Sequence, residues 1–510
     1  MKRNLPARPD IQQLKHQAKD LLKSYKAGEP DAVERIRQSH PGREQGRARE
    51  QAAIGNLRLS DAQLVVAREY GFESWPKLKT AVENMLLDQG DPAMLLHRAF
   101  RDDNASLVRK LLARYPEFKA RINAPVPEVF DSPPITLVKS REMLDVLLEA
   151  GADINAKSRW WAGGFGLLHS ASPELARYAV QRGAVVDVHA AARLGDLKKL
   201  RQLIATRPEI VHARGGDGQT PLHFAANVEI ASFLLDHRAD IDARDVDHES
   251  TPAQYMVKSR QDVARYLVGR GCKTDILMAA ALGDLPLVKQ HVAADPECVR
   301  IRVSEEYYPM VGGKTGGTIY QWELGWHVSA HQVAKRFGHR EVFEWLMEHS
   351  PVEVQLVNAA WLGHTRLVRD LLHARPNLIE ALSAGERKQL AHAARNNDTE
   401  AAALMIEAGW PLDVRSQHNA TPLHWAAWHG NAKLVKLLLT KNSPLEDAQN
   451  DFAGAPMRWA VHGSEHGWHC KTGDYAATVA ALLAAGATPP QRAEGTDAVK
   501  AVLRSAGVRS

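Results

Sequence analysis

The stretch ATPLHWAAWHGNAKLVKLLL, residues 420–439, decides how this chain folds. The pattern indicates two short antiparallel helices, because Thr421 is a suitable N-cap, Pro422 fits the first helical position and Gly430 separates two apolar segments. Residues 219–235, QTPLHFAANVEIASFLL, repeat the same order of cap, proline, apolar face and leucine pair. A supersecondary unit that recurs within one chain predicts a repeat array.

Both stretches contain TPLHxA, and in this motif they resemble the ankyrin repeat. The resemblance implies an all-α repeat solenoid of stacked helix pairs, joined by β-turns or short hairpins. It also implies that His223 and His424 bridge backbone groups of adjacent turns, so we expect both rings in the core. Partners of such arrays are expected on the concave face and at the loop tips.

Twelve apolar segments after Asp91 have the pattern of a second helix, and several end at a glycine suited to a left-handed helix end. They predict about twelve helix pairs at a period of about 33 residues. The segments are 107–112, 143–151, 175–183, 197–204, 228–235, 263–271, 285–292, 342–347, 367–372, 401–409, 434–439 and 479–486. An array of this kind suits 510 residues, because each pair contacts only its neighbours and no single core has to grow.

The chain divides into three predicted parts, which differ in composition and regularity. They are a basic N-terminal helical module at 1–90, a repeat solenoid at 91–489 with insertions at 124–134, 304–325 and 464–473, and a C-terminal capping segment at 490–510. The insertion at 304–325 contains two β-prone runs around glycine pairs, which predicts a β-hairpin.

The N-terminal module holds the basic charge of the chain. Residues 1–58 contain 13 Lys/Arg and 7 Asp/Glu, whereas the whole chain has a net charge of +5. Residues 59–83, LSDAQLVVAREYGFESWPKLKTAVE, resemble the N-terminal helical module found ahead of many bacterial ankyrin arrays. Lysines spread over several faces of a helix that begins after Asp10 are typical of a solvated surface, so we expect no nucleic-acid partner.

Composition indicates a soluble, cytoplasmic protein. The chain is 45% apolar and 25% charged, and no apolar run approaches the roughly 18 residues of a membrane span. Its first residues lack the apolar segment of a secretory signal. Cys272, Cys298 and Cys470 are scattered and odd in number, which argues against a disulfide framework.

The candidate binding surface lies toward the C-terminal end of the array. If the repeats are aligned, the residue after each small alanine pair points to the concave face, where tryptophan beside arginine is typical of a binding hot spot. The candidate binding residues are Arg336, Trp361, Arg395, Trp428, His429, His462 and Trp468. His418 and Phe452 at neighbouring loop tips extend this surface.

The insertion at 464–473 adds ten residues between the two helices of the last full pair. Its polar side chains are candidates for acid/base catalysis (Glu465, His466, His469 and Asp474) or for binding a divalent metal such as zinc (His462, His466 and His469). Residues 462–466 spell HxxEH, a zinc-protease motif that requires an unbroken helix, and Gly463 and Gly467 predict a break. We expect the inserted histidines and Trp468 to form one wall of the site, with Trp428 and His429 opposite.

Two functions remain open at this point. The favoured one is a non-catalytic binding or scaffold protein that recognises a protein partner and needs no cofactor. The alternative is a small-molecule-binding protein or a metal-dependent enzyme, with its site in the His/Trp-rich C-terminal repeats. Repeat geometry and the lack of a complete catalytic motif in the sequence favour the first.

Overall fold

The structure, a computed structural model, describes residues 3–6, 9–39, 57–89, 91–126, 129–313 and 315–509. Over these residues the chain is mostly helical and forms no β-strand, only isolated bridges such as Arg302 with Ser329. It divides into two compact units, Met1–Gly218 and Gln219–Ser510, called here the N-terminal and C-terminal units. Among the described residues, no helix has the length and apolar character that crossing a membrane requires.

The described residues among the first ninety form four helices with a core of their own. They are Ile11–Lys26, Pro30–Ser39, Leu59–Glu69 and Trp75–Gln89. Asp10 caps the first by accepting hydrogen bonds from the backbone N–H of Gln12 (2.7 Å) and Gln13 (3.3 Å). Leu14, Ala18 and Leu21 are buried, as the apolar stripe predicts. The third helix begins at Leu59, because the carboxylate of Asp61 accepts a hydrogen bond from the N–H of Arg58 (2.8 Å).

Each of the twelve segments predicted as a second helix overlaps an α-helix, and five of them run two residues past its end to a glycine. These helices are Ala105–Arg114, Arg141–Glu149, Pro173–Gln181, Leu197–Thr206, Val228–Asp236, Gln261–Gly269, Leu285–Ala294, Arg340–His349, Thr365–Ala374, Thr399–Glu407, Ala432–Thr440 and Tyr475–Ala484. A final helix, Asp497–Ser505, packs against Tyr475–Ala484 and buries Val499 and Leu503.

The elements that precede these helices are less regular than the sequence predicts. They are Pro92–Arg101, Pro134–Leu137, Leu167–His169, Val188–Leu194, Pro221–Phe224, Pro252–Met256, Ile276–Leu282, Ala330–Phe337, Val352–Trp361, Gln389–Arg395, Pro422–Trp428 and Pro456–His466. Three of them are single 3₁₀ turns. Pro221–Phe224 is one, because Asn227 already caps the next helix by accepting from the N–H of Ile230 (3.0 Å) and leaves no room for a longer first helix.

Short one-turn elements fill the connections. They are Glu117–Ala120, Pro208–His212, Gly216–Gly218, Pro296–Arg300, Leu378–Ala381, Ala384–Arg387 and Gln417–Asn419. The insertion at 124–134 has turns and a bridge between Val126 and Ser132, while residues 127 and 128 lie outside the described part.

The hairpin predicted at 304–325 is wrong. The described residues of this segment form turns and one short helix, Tyr320–Glu323. Side chains of the loop before the helix Pro252–Met256 bind the N–H groups that a hairpin would pair: Glu249 accepts from Val311 (2.9 Å), and Asp247 accepts from Gly316 (2.7 Å).

One aromatic side chain of this insertion belongs to the core of the C-terminal unit. Tyr320 is fully buried, and its hydroxyl donates to the carboxyl of Asp275 (3.0 Å). Trp322 of the same short helix is 68% exposed.

Candidate functional site

The helix Pro422–Trp428 is held at its start by the TPLH motif. The N–H of Thr421 donates to Nδ1 of His424 (3.2 Å), so Nδ1 is an acceptor and Nε2 carries the proton. Nε2 therefore donates to the backbone oxygens of Asp447 (3.0 Å) and Gly454 (3.1 Å). Burial lowers the pKa of His424, which keeps the ring neutral. The expected core role of this histidine is confirmed, and it fixes the backbone on which the neighbouring tryptophans stand.

Four tryptophans from two successive helix pairs form one cluster. Trp425 and Trp428 lie on the helix Pro422–Trp428, Trp459 lies on Pro456–His466, and Trp468 follows that helix. The ring centroids of Trp425 and Trp459 are 5.4 Å apart at an angle of 81°, and those of Trp425 and Trp468 are 5.9 Å apart and stacked. Edge-to-face and stacked contacts of this kind hold each ring in one orientation.

The cluster walls a cavity of about 470 Å³ on the C-terminal unit. The cavity is lined by His418, Trp425, Trp428, Phe452, Gly454, Arg458, Trp459, His462 and Trp468. Trp459 is buried, whereas Trp468 is 60% and Phe452 57% exposed, so these two form the rim. A buried aromatic floor with an exposed aromatic rim is suited to binding an apolar group from solution.

Arg395 lies beside the cluster and holds two of its rings. Its guanidinium carbon is 5.6 Å from the ring centroid of Trp425, 5.4 Å from that of Trp468 and 4.5 Å from that of Trp326. The side chain is 7% exposed, and burial lowers its pKa to about 10. Its Nε donates to the side-chain oxygen of Gln417 (2.8 Å). Arg395 thus supports the aromatic wall from behind and does not line the cavity.

His429 and His469 are hydrogen-bonded to each other through their Nδ1 atoms (3.0 Å). Nε2 of His429 donates to the backbone oxygen of Arg395 (2.8 Å), so in the neutral ring Nδ1 of His429 is the acceptor and Nδ1 of His469 is the donor. Burial lowers the pKa of His429 to about 4 and keeps it neutral. A metal ion at either Nδ1 would have to displace this hydrogen bond.

The predicted break at Gly463 is wrong. The helix Pro456–His466 runs through Gly463 without interruption, so His462 and His466 are one turn apart and their ring centroids are separated by 4.5 Å. The backbone oxygen of Trp428 occupies the space where a side chain at Gly463 would lie, at 2.6 Å from an added Cβ. The helix therefore needs glycine here to approach its neighbour.

The HxxEH residues thus lie on one unbroken helix, with His462, Glu465 and His466 all exposed. Some described residues form groups of three or more potential metal ligands, with ligand atoms within 4.8 Å of one another. His462, His466 and His469 do not belong to any of these groups. A metal role for these histidines and a catalytic role for Glu465, His466 and His469 stay predictions.

Asp474 has a structural partner. Its carboxylate caps the helix Tyr475–Ala484 by accepting from the N–H of Ala477 (3.0 Å), and its own N–H donates to the oxygen of Gly430 (2.9 Å). The cap fixes the end of the inserted turn, and a catalytic role for Asp474 also stays a prediction.

Two candidate binding residues lie away from the cavity. Trp361, expected to be exposed, is 8% exposed and donates its indole N–H to Gln389 (3.1 Å). The expected exposure is wrong because Gln389, on the first helix of the next pair, lies against the ring. Arg336 donates to the backbone oxygen of Leu324, and burial lowers its pKa. The structure places Trp428, His462 and Trp468 together at the cavity, with Arg395 and His429 beside it.

Trp425, Trp459 and Arg458 line the cavity but were not predicted from the sequence to do so. Trp425 and Trp459 occupy the same position in consecutive helix pairs, 34 residues apart, and this recurrence was a signal for a shared surface. Arg458 gave no such signal, because the preceding pair has His424 at the equivalent position.

Comparison with known families identifies part of the chain. Residues 188–278 and 356–449 match the family model described as ankyrin repeats in three copies. The chain contains ankyrin repeats. The second matched stretch includes Trp425 and Trp428, whereas the rest of the aromatic cluster, Trp459 and Trp468, lies beyond it.

Curated relatives share only short stretches with this chain. The putative palmitoyltransferase ZDHHC13 of Danio rerio is 32% identical over 57 residues, which are 11% of this chain and 9% of that protein. The palmitoyltransferase Hip14 of Drosophila melanogaster is 27% identical over 96 residues, which are 19% of this chain and 14% of that protein. The matches thus span about a tenth of the relatives' length, the length of two or three ankyrin repeats.

Proposed function

We propose that this chain is a non-catalytic binding protein that recognises a protein partner through the aromatic cavity of its C-terminal unit. The observation that carries the proposal is the cavity itself, about 470 Å³ in volume and walled by four tryptophans. Tryptophan and arginine are the residues that most often dominate binding energy, and here both are held in place before a partner arrives. The ankyrin repeats that supply half of the wall support a scaffold role.

We also propose that the helix pairs outside the two matched stretches are degenerate ankyrin repeats, which brings the total to about twelve. Support comes from the twelve second helices, which occur in the predicted order along the chain. In this proposal the last pair differs from the others by its ten-residue insertion. The insertion supplies Trp468 to the cavity rim.

A second candidate function is the binding of a small molecule. The specific observation in its favour is the cavity volume, which falls within the range of roughly 300–1,000 Å³ for small-molecule sites. The exposed rim favours a protein partner instead, because Phe452 and Trp468 extend an apolar surface beyond the cavity mouth. Palmitoyl transfer is not part of the proposal, since the similarity to palmitoyltransferases covers so little of them.

The test is a selection of short linear peptides from a displayed library on the full-length protein, followed by measured affinities of the selected sequences. Trp468→Ala should weaken binding of these peptides at least tenfold, since it removes an exposed aromatic contact. The matched control is Trp322→Ala, because Trp322 is 68% exposed on the same unit and does not line the cavity.

The control variant should bind as the parent does. Equal affinities for the parent and Trp468→Ala, with the fold intact by circular dichroism, would refute the proposal. Failure of the selection, together with micromolar binding of a small apolar compound that Trp468→Ala abolishes, would favour the second candidate.

A further inference from the structure

The charges at the cavity mouth are unbalanced. Among the described residues that line the cavity none carries a carboxylate, and Arg458 is the one lysine or arginine. Arg458 is exposed, and it takes part in none of the ion pairs that the structure shows in the described part of the chain. A guanidinium at the edge of an aromatic cavity offers up to five N–H donors to an incoming acceptor.

Two carboxylates of the loop that precedes the helix Pro456–His466 are already paired. Asp447 accepts a hydrogen bond from the guanidinium of Arg415 (3.2 Å), and Asp451 contacts Nδ1 of His418 (3.2 Å). Neither is among the lining residues of the cavity. The guanidinium of Arg458 is therefore left for an external partner.

Gly454 sets the position of the arginine stem. A Cβ added at Gly454 would lie 3.1 Å from Cδ of Arg458, closer than an ordinary contact between carbon atoms. Glycine here lets the stem of Arg458 lie against the loop, which keeps the guanidinium beside the cavity.

The aromatic rings do not fit a cationic guest, although cavities of this type often bind ammonium groups. The guanidinium of Arg395 already lies 5.6 Å from the centroid of Trp425 and 5.4 Å from that of Trp468. A second cation in the cavity would be repelled both by this charge and by Arg458. An apolar or anionic guest meets no such repulsion.

We propose that the cavity binds an apolar, preferably aromatic, side chain of a partner peptide, and that Arg458 binds a carboxylate next to that side chain. The carboxylate is the free C-terminus of the peptide or an adjacent acidic side chain. This inference rests on the proposed function, since it names the chemistry that the same site recognises. Arginine is suited to the role because its planar fork binds both oxygens of a carboxylate.

The first experiment compares three probes that share a phenyl ring and differ in charge: 3-phenylpropionate, 3-phenylpropionamide and 3-phenylpropylamine. Binding to the full-length protein is followed by tryptophan fluorescence excited at 295 nm, where the probes do not absorb. The carboxylate should bind about three- to tenfold more tightly than the amide, and the amine should bind most weakly. Equal or tighter binding of the amine would overturn the inference.

The second experiment separates the two sources of the carboxylate. Acetyl-Gly-Gly-Phe is compared with its C-terminal amide, and acetyl-Gly-Phe-Glu-Gly-amide with the same peptide that has Gln in place of Glu. Arg458→Gln should abolish the preference for the carboxylate in whichever pair shows it. The control is Arg340→Gln, because Arg340 is an exposed arginine of the same unit that pairs with Glu344 (3.1 Å) away from the cavity.

The outcomes distinguish the two proposals. If Trp468→Ala weakens peptide binding but Arg458→Gln leaves the preference for the carboxylate unchanged, the protein-binding function stands and the role of Arg458 is refuted. If 3-phenylpropionate binds and none of the four peptides does, the peptide assignment is refuted. If neither substitution affects any ligand, both proposals fail.

Discussion

Replacing Gly463 by alanine should destabilise the protein, although glycine inside a helix is ordinarily the less stable choice. Helix propensity alone predicts a gain of about 0.8–1.0 kcal/mol for this change. The added Cβ would lie 2.6 Å from the backbone oxygen of Trp428 and 3.2 Å from the ring of Tyr475. The first contact is with backbone, so the helix Pro456–His466 must move away from its neighbour.

Overpacking of this kind costs about 1–3 kcal/mol, so after the propensity gain the net effect should be a loss of up to about 2 kcal/mol in the free energy of unfolding. The matched control is Gly269→Ala in the helix Gln261–Gly269, where an added Cβ meets nothing within 4 Å. That variant should gain up to about 1 kcal/mol.

The assay is urea unfolding followed by circular dichroism at 222 nm and by tryptophan fluorescence. Separation of the helices should also widen the cavity between Trp428 and His462, which changes the fluorescence of the folded state. If Gly463→Ala proves at least as stable as the parent, the close approach of the two helices is not real and the reasoning fails.

Three further perturbations test other parts of the structure. Burial lowers the folded-state pKa of His331 to about 3, from about 6.5 in the unfolded chain. The free energy of unfolding should therefore fall by about 1.4 kcal/mol per pH unit as the pH drops from about 6.5 toward 3. His331→Asn should remove this contribution to the pH dependence in acid-unfolding curves. Tyr320→Phe removes one donor to the buried carboxyl of Asp275, which still accepts from the N–H of Met278 (2.8 Å), and calorimetry should show a loss of about 0.5–1.5 kcal/mol. Arg395→Met removes the charge stacked on three tryptophans and should lower the free energy of unfolding by about 1–2 kcal/mol. It should also shift the tryptophan emission of the folded state. Unchanged emission would contradict the stacking.

The second helices could be predicted from sequence because the residues that define each helix are close together in the chain. A capping side chain, a stripe of leucines and a closing glycine lie within about twelve residues of one another, and each element can be recognised without its neighbours. The first helices could not be predicted as well, because their length depends on where the next cap falls. Asn227 shows this, since it ends the first element of its pair after one 3₁₀ turn.

The insertion at 304–325 could not be predicted because its backbone partners are distant in sequence. Its residues have β propensity, but a strand forms only where another strand offers the matching donors and acceptors. Here Glu249 and Asp247, more than sixty residues earlier, bind the backbone N–H groups first. Nothing within the insertion itself indicates that these carboxylates are within reach.

The candidate site was predicted in part, and the part that failed follows from burial. Trp428, His462 and Trp468 were expected on one surface, and they line the same cavity. Trp361 has the same residue type and repeat position as Trp428, yet it is buried under Gln389. Repeat position fixes the direction of a side chain, whereas exposure depends on what the next helix pair places over it.

The cavity exists because the last full helix pair carries ten extra residues and can still pack closely against its neighbour. The first extra residues prolong the helix to His466, and the rest form a turn that places Trp468 opposite Trp425. This turn lies against the preceding helix, where the hydroxyl of Tyr475 donates to the oxygen of Trp428 (2.8 Å). An added Cβ at Gly467 would lie 2.7 Å from that hydroxyl, so the turn depends on glycine as the helix does. Shortening the insertion should therefore remove Trp468 from the cavity rim, while Phe452 and the helices that carry the other three tryptophans remain.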